Sequence, residues 1–90
     1  MNIMVEKSFE ELKLTNVDEV YCYIDYNKMD VDIRYNDEQK IKINIIKIIQ
    51  KSTKSKVSLK TIFQHLVDIR IKLDKQLERL TFEIELNKDL

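Results

Sequence analysis

The chain has 90 residues, of which 36% are charged and 43% are hydrophobic, and its formal net charge is zero. This size and balance predict one small folded domain, residues 1–90, and argue against disorder. No apolar run approaches the ~20 residues that a membrane-spanning helix needs, and the N-terminus lacks the pattern of a signal peptide. The single cysteine, Cys22, excludes an internal disulfide and favours an intracellular, cytoplasmic location.

The sequence contains no glycine and no proline, while isoleucine and lysine dominate it. Phosphate-binding loops, dinucleotide-binding turns and nucleophile elbows need glycine where the backbone approaches a ligand or takes a positive φ. Most nucleotide-binding enzymes are therefore excluded. The abundant residues have AT-rich codons, a bias that is compatible with a phage or mobile-element product.

The first segment of the chain predicts a short helix. Val5, Phe9 and Leu12 follow helical spacing, and Ser8 with Glu11 matches the capping-box pattern. A short strand over residues 12–15 is the alternative. Residues 16–19 then have the composition of a turn.

The next segment predicts a β-hairpin, because apolar and polar residues alternate with a period of two on both sides of Asn27-Lys28. The inward positions are Val20, Cys22, Ile24, Tyr26, Met29, Val31, Ile33 and Tyr35. A two-residue turn pairs Tyr21 with Arg34, Tyr23 with Asp32, and Asp25 with Asp30. We expect Asn27 to supply the positive φ that such a turn requires.

A third strand is expected to add Ile41, Ile43 and Ile45 to the same apolar face. A three-residue loop at residues 36–38 pairs Ile33 with Ile41 and brings opposite charges together across the outer face. In the alternative interpretation residues 39–51 form a helix. Residues 50–57 are polar and predict a connection.

The last third of the chain predicts a long amphipathic helix from Ser58, its N-cap, to about Ile84. Its apolar stripe comprises Leu59, Ile62, Leu66, Ile69, Leu73, Leu77, Leu80 and Ile84, widened by Phe63, Val67 and Ile71. Residues 82–86 also alternate as a strand would. The predicted fold class is α+β: a short N-terminal helix, a three-stranded antiparallel meander, and the long helix packed on the sheet.

Such a helix would be on the order of 40 Å long and would overhang its sheet. Its exposed end would present Leu77, Leu80 and Ile84 to a partner, unless the N-terminal segment covers them. A second copy of the chain or another protein is the expected partner, and self-association would give a homodimer or larger homo-oligomer.

No residue pattern indicates an enzyme, a cofactor or a metal centre. His65 stands alone, and an inward-facing Cys22 is expected to be a small buried apolar residue. Asp25, Asp30 and Asp32 share the outer face of the hairpin, where a divalent cation is a less favoured alternative to a solvated acidic surface.

Tyr21 and Tyr23 lie on that same acidic face, and tyrosines among charged residues are typical of protein contacts. We therefore expect a non-catalytic protein-interaction module, either an assembly subunit or a small protein inhibitor. It would act through the C-terminal helix and the acidic, tyrosine-bearing sheet face.

Charge is segregated along the chain. Residues 1–38 carry ten acidic and four basic side chains, residues 39–67 carry seven lysines and no acid, and residues 68–90 carry six acidic and five basic side chains. The lysine segment supports an alternative function, the binding of nucleic-acid phosphates. The residues in question are Lys47, Lys51, Lys54, Lys56 and Lys60.

Overall fold

A computed structural model describes residues 1–17 and 19–88. The described elements are β1 (Asn2–Ser8), β2 (Tyr21–Asp25), β3 (Asp30–Arg34), β4 (Lys40–Asn44), α1 (Ile45–Thr53), α2 (Leu59–His65), β5 (Leu66–Asp74) and β6 (Arg79–Leu86). The strands form two antiparallel sheets, a terminal sheet with the order β1-β6-β5 and a meander sheet with the order β2-β3-β4. The fold is mostly β, so the predicted α+β architecture with a long C-terminal helix is wrong.

The predicted C-terminal helix ends at His65, and the sequence after it, which also fits a period of two, forms two paired strands. In β5, Ile69, Ile71 and Leu73 point to one face, and they pair with Ile84, Phe82 and Leu80 of β6. The helical stripe omits Phe82, which is completely buried in the structure. Pairing as strands buries this large side chain, whereas the helix would have left it outside the apolar face.

The predicted N-terminal helix is also wrong, because Asn2–Ser8 forms the strand β1 and pairs with β6 along its whole length. The capping-box residues nevertheless make the expected contacts. The Glu11 amide donates to Ser8 Oγ at 3.0 Å, and the Ser8 amide donates to Glu11 Oε1 at 3.4 Å. A single helical turn follows and ends at Lys13, whose φ is 57°.

The meander sheet has the predicted registers. Tyr21 pairs with Arg34 and Asp25 with Asp30 across β2 and β3, and Ile33 pairs with Ile41 across β3 and β4. The Tyr35 amide donates to the Gln39 carbonyl, which closes the predicted three-residue loop. Alternating apolar residues and short loops were sufficient to fix this part of the fold.

The first hairpin turn differs from the prediction in its backbone. Residues 26–29 form the loop, and the positive φ falls on Met29 at 55° rather than on Asn27. Tyr26, expected to face inward, is therefore exposed in the loop. Asp25 Oδ1 accepts hydrogen bonds from the amides of Asn27 and Lys28, which holds the loop without glycine.

Residues 40–53 combine the two alternatives drawn from the sequence. The strand β4 ends at Asn44, and α1 begins at Ile45 instead of continuing the strand. Asn44 caps α1, because its side-chain oxygen accepts from the Lys47 amide at 3.1 Å. Ser58 caps α2 as predicted, accepting from the Thr61 amide at 3.2 Å.

One hydrophobic cluster joins the two sheets and the helices. From the terminal sheet it takes the inward side chains of β6, and from the meander sheet it takes Val31 and Ile33. The helix α1 contributes Ile45, Ile48 and Ile49. The four inward residues of β6 are at most 2% exposed, so this strand lies at the centre of the core: Leu80, Phe82, Ile84 and Leu86.

Ile84 offers a direct test of the strand assignment. Substitution Ile84→Ala creates a cavity beside fully buried neighbours, so we expect the free energy of unfolding to fall by about 2–5 kcal/mol. Urea denaturation followed by circular dichroism measures this loss. The exposed neighbour Glu85 is the control, since Glu85→Ala should change stability by no more than about 0.5 kcal/mol. Equal effects at the two positions would contradict the register.

Lys54 provides a second test, because it holds the left-handed backbone at the C-terminus of α1 with φ 56° and ψ 29°. A side chain with a Cβ is disfavoured there, so Lys54→Gly should raise the free energy of unfolding by about 0.5–1 kcal/mol. The same change three residues earlier, Lys51→Gly, lies within the helix and should lower it by about 1 kcal/mol. Denaturation midpoints that shift in the same direction would refute this backbone assignment.

Candidate functional site

The outward face of β2 and β3, here called the tyrosine face, carries exposed aromatic rings among charges. Its side chains are Tyr21, Tyr23, Asp25, Asp30, Asp32 and Arg34. Tyr21 is 54% exposed and Tyr23 is 59% exposed, although both lie within a regular strand. Large exposed aromatic side chains on a rigid element are the residue type that most often anchors a protein interface.

Arg34 organises the centre of this face. Its guanidinium carbon lies 5.7 Å from the centroid of the Tyr23 ring, within the range of a cation–π contact. Its Nε also lies 3.3 Å from Asp32 Oδ2. These contacts favour the arrangement in which the arginine lies over the tyrosine ring, and a partner that binds this arrangement would pay a smaller entropic cost.

The acidic side chains of the face have different surroundings. Asp25 is exposed and holds the hairpin loop, whereas Asp30 accepts a hydrogen bond from the Asn44 side chain at 3.2 Å. Asp32 Oδ1 is buried and has no hydrogen-bond partner within the described residues. Asp25 and Asp30 are directly opposed across the hairpin and form no ion pair within the described residues, while Lys42 lies opposite Asp32 on the neighbouring strand β4.

Two shallow hollows adjoin along the tyrosine face, with Tyr23 and Arg34 lining both. The first has a volume of about 370 Å³, and its wall is completed by Ile24, Asp25, Asp30, Asp32 and Lys42. The second has a volume of about 560 Å³, and its wall is completed by Glu19, Tyr21, Tyr35, Asn36 and Asp37. The face is thus a contoured surface in which side chains of a partner could be seated.

The structure separates the other predicted partner-binding residues. Leu77 is 57% exposed, but it lies in the loop between β5 and β6, whereas Leu80 and Ile84 are completely buried in the core. The overhanging helix that grouped these three side chains does not form. Leu80 and Ile84 contribute to stability rather than to an accessible surface.

The five lysines of the alternative function lie on or between the two helices. Lys47 and Lys51 belong to α1, Lys54 and Lys56 to the connection, and Lys60 to the first turn of α2. All five side chains are exposed. Within the described part of the chain none of them forms an ion pair, so their charge is directed to the solvent.

Cys22 is exposed, in contrast to the buried position that its inward register suggested. It lies on β2, an edge strand of the meander sheet in which only Ile24 is partly buried. Partial burial of the thiol still raises the pKa of Cys22, which favours the less reactive protonated form.

His65 Nδ1 lies 3.0 Å from the Thr61 carbonyl, a contact within its own helix.

Leu59, Phe63 and Val67 are exposed although the predicted stripe placed them on a buried face. The helix α2 has seven residues and buries Ile62 alone. The predicted stripe therefore identified a helix at residues 59–65, but it did not identify which side of that helix is buried. Neither glycine nor proline marks the end of this helix in the sequence.

No set of three or more His, Cys, Asp and Glu side chains is placed to hold a metal ion within residues 1–17 and 19–88. The less favoured alternative of a cation at Asp25, Asp30 and Asp32 thus finds no suitable geometry there.

The chain matches no protein-family model, no curated protein and no solved structure. Among the described helices none has the length and apolar character required to cross a bilayer.

The Tyr21 hydroxyl donates to Glu19 Oε2 at 2.7 Å, and this hydrogen bond raises the pKa of Tyr21. We expect Glu19→Gln to lower that pKa towards the ordinary value of about 10, because the acceptor loses its charge. Carbon NMR of the tyrosine Cζ atoms during an alkaline titration measures the change. The variant Tyr21→Phe assigns the resonance, and an unaltered titration in Glu19→Gln would show that the pair does not form.

Proposed function

We propose that this protein is a non-catalytic interaction module whose tyrosine face binds a basic segment of a protein partner. The observation that carries the proposal is the pair of tyrosines, each more than half exposed on β2 and set among carboxylates. Burying a tyrosine ring at an interface gains apolar contact, and its hydroxyl still forms hydrogen bonds. The module would serve as an assembly subunit or as a small inhibitor.

The charge of the face supports a basic partner. Asp25 and Asp30 form no ion pair within the described residues, and Asp32 shares a single arginine with the Tyr23 ring. A lysine or arginine of the partner would pair with Asp25 or Asp30, beyond the cations Arg34 and Lys42 that the face already holds, and would lie beside an aromatic ring. Complementary charge of this kind increases the association rate and the specificity more than the final affinity.

The position of β2 supports the same proposal. As one of the two edge strands of the meander sheet, β2 pairs with β3 alone among the described strands, and an extended segment of the partner would pair along its other side. Cys22 lies on this strand as an exposed free thiol, which suits a reducing intracellular compartment. An extended basic segment is the form of partner that fits both the edge and the face.

Selection from a displayed library of random peptides against the immobilised full chain tests this proposal. We expect the selected peptides to be rich in lysine or arginine, and Tyr23→Ala to weaken their binding at least about tenfold by isothermal titration calorimetry. Asp25→Asn combined with Asp30→Asn should reduce the salt dependence of binding, since two attracting charges are removed.

Met4 supplies the matched control, because it is 59% exposed like Tyr23 but lies on the outer side of the terminal sheet. The variant Met4→Ala should bind the selected peptides as the unmodified chain does. Peptides that are acidic, or that bind Tyr23→Ala with undiminished affinity, would refute the proposal.

A further inference from the structure

A second surface, distinct from the tyrosine face, is formed by the five lysines of the helical region and is here called the lysine surface: Lys47, Lys51, Lys54, Lys56 and Lys60. Residues 39–67 contain no acidic side chain. The ion pairs found in the described residues use cations outside this segment, such as Lys7, Arg70 and Lys72. The lysine surface is therefore a run of positive charge without internal compensation.

The backbone holds these lysines in a defined arrangement. Lys47 and Lys51 are one helical turn apart on α1, and Lys54 follows at its C-cap, on the side away from the buried isoleucines. The Gln50 side-chain amide donates to the Val57 carbonyl at 3.2 Å, which ties the connection to α1. The charges of the connection are thus kept close to those of the helix.

The helix α2 places an aromatic ring beside Lys60, one of the five lysines. Phe63 is 42% exposed and follows Lys60 by three residues, so the two side chains are neighbours on the helix surface. Burial in α2 is restricted to Ile62, and Phe63 is not part of the core. Proteins that bind single-stranded nucleic acids combine exposed aromatic rings with positive charges. A base stacks on the ring, and the positive charges neutralise the phosphates of the backbone.

We propose that the lysine surface binds single-stranded nucleic acid, with the lysines contacting phosphates and Phe63 stacking on a base. The surface lacks arginine, which reads base edges in duplex grooves, so binding without sequence preference is expected. A base can stack on Phe63 only when it is not stacked in a duplex. This activity is independent of the tyrosine face, which carries the opposite charge.

Fluorescence anisotropy with a labelled oligothymidylate of about 20 nucleotides tests the proposal. If all five lysines contact phosphates, the association constant should fall roughly 100-fold between about 50 mM and about 200 mM salt. Removing three charges in Lys47→Gln/Lys51→Gln/Lys54→Gln should reduce the slope of log K against log salt by about 2. Phe63→Ala should weaken binding about fivefold or more, and Phe63→Trp should restore it.

The matched control removes three cations from the outer side of the terminal sheet, through Arg70→Gln/Lys72→Gln/Arg79→Gln. It has the same net charge as the triple lysine variant and should retain the original salt slope. Circular dichroism confirms that each variant is folded before its binding is compared.

Three results would overturn the proposal. The first is no binding to the oligothymidylate at about 50 mM salt. The second is equal binding of duplex DNA with no effect of Phe63→Ala, which would remove the stacking contact. The third is equal affinity for labelled polyglutamate, which would assign the lysine surface to an acidic protein.

Discussion

The structure depends on the position of β6 between β1 and β5. This strand is the last of the described elements, yet its partner β1 is the first. Ile84 of β6 pairs with both Ile3 of β1 and Ile69 of β5. The inward side chains of β6 are buried by two neighbouring strands and by the elements opposite. Without the pairing of β1, one edge of the buried row around Phe82 would be open to water, at a cost of about 25 cal/mol for each Å² of apolar surface exposed.

The meander could be predicted from the sequence because each of its strands pairs with a strand that is next to it along the chain. Ile33 and Ile41 belong to neighbouring strands joined by a short loop, and only one register keeps both on the same face. The terminal sheet could not be predicted in this way. Leu73, Leu80 and Ile84 satisfy a helical and a strand period alike, and the choice between them is made by the distant β1. Tertiary pairing thus overrides a good local helical pattern.

The same distinction holds for the candidate surfaces. The outward positions of Tyr21 and Tyr23 follow from the hairpin register alone, whereas the exposure of Cys22 and Phe63 does not follow from the period of the element that carries each of them. The charges segregated along the sequence remain segregated in the structure. The tyrosine face keeps unpaired carboxylates on β2 and β3, while the lysines of the helical region find no acidic partner within the described residues. A chain with a formal net charge of zero thus carries a lysine segment without internal acidic partners, and two aspartates of the tyrosine face that form no ion pair within the described residues.

The left-handed turns of this glycine-free chain bear on the order of events during folding. Met29 and Glu78 hold positive φ at the ends of two of the three hairpin loops, and each of these two loops begins with an aspartate that accepts a backbone hydrogen bond, Asp25 and Asp74. Methionine and glutamate have no intrinsic preference for that backbone, so an isolated loop gains little by closing. Contacts between the strands must therefore compensate for these two turns, and we expect their hairpins to form together with the core rather than to nucleate it.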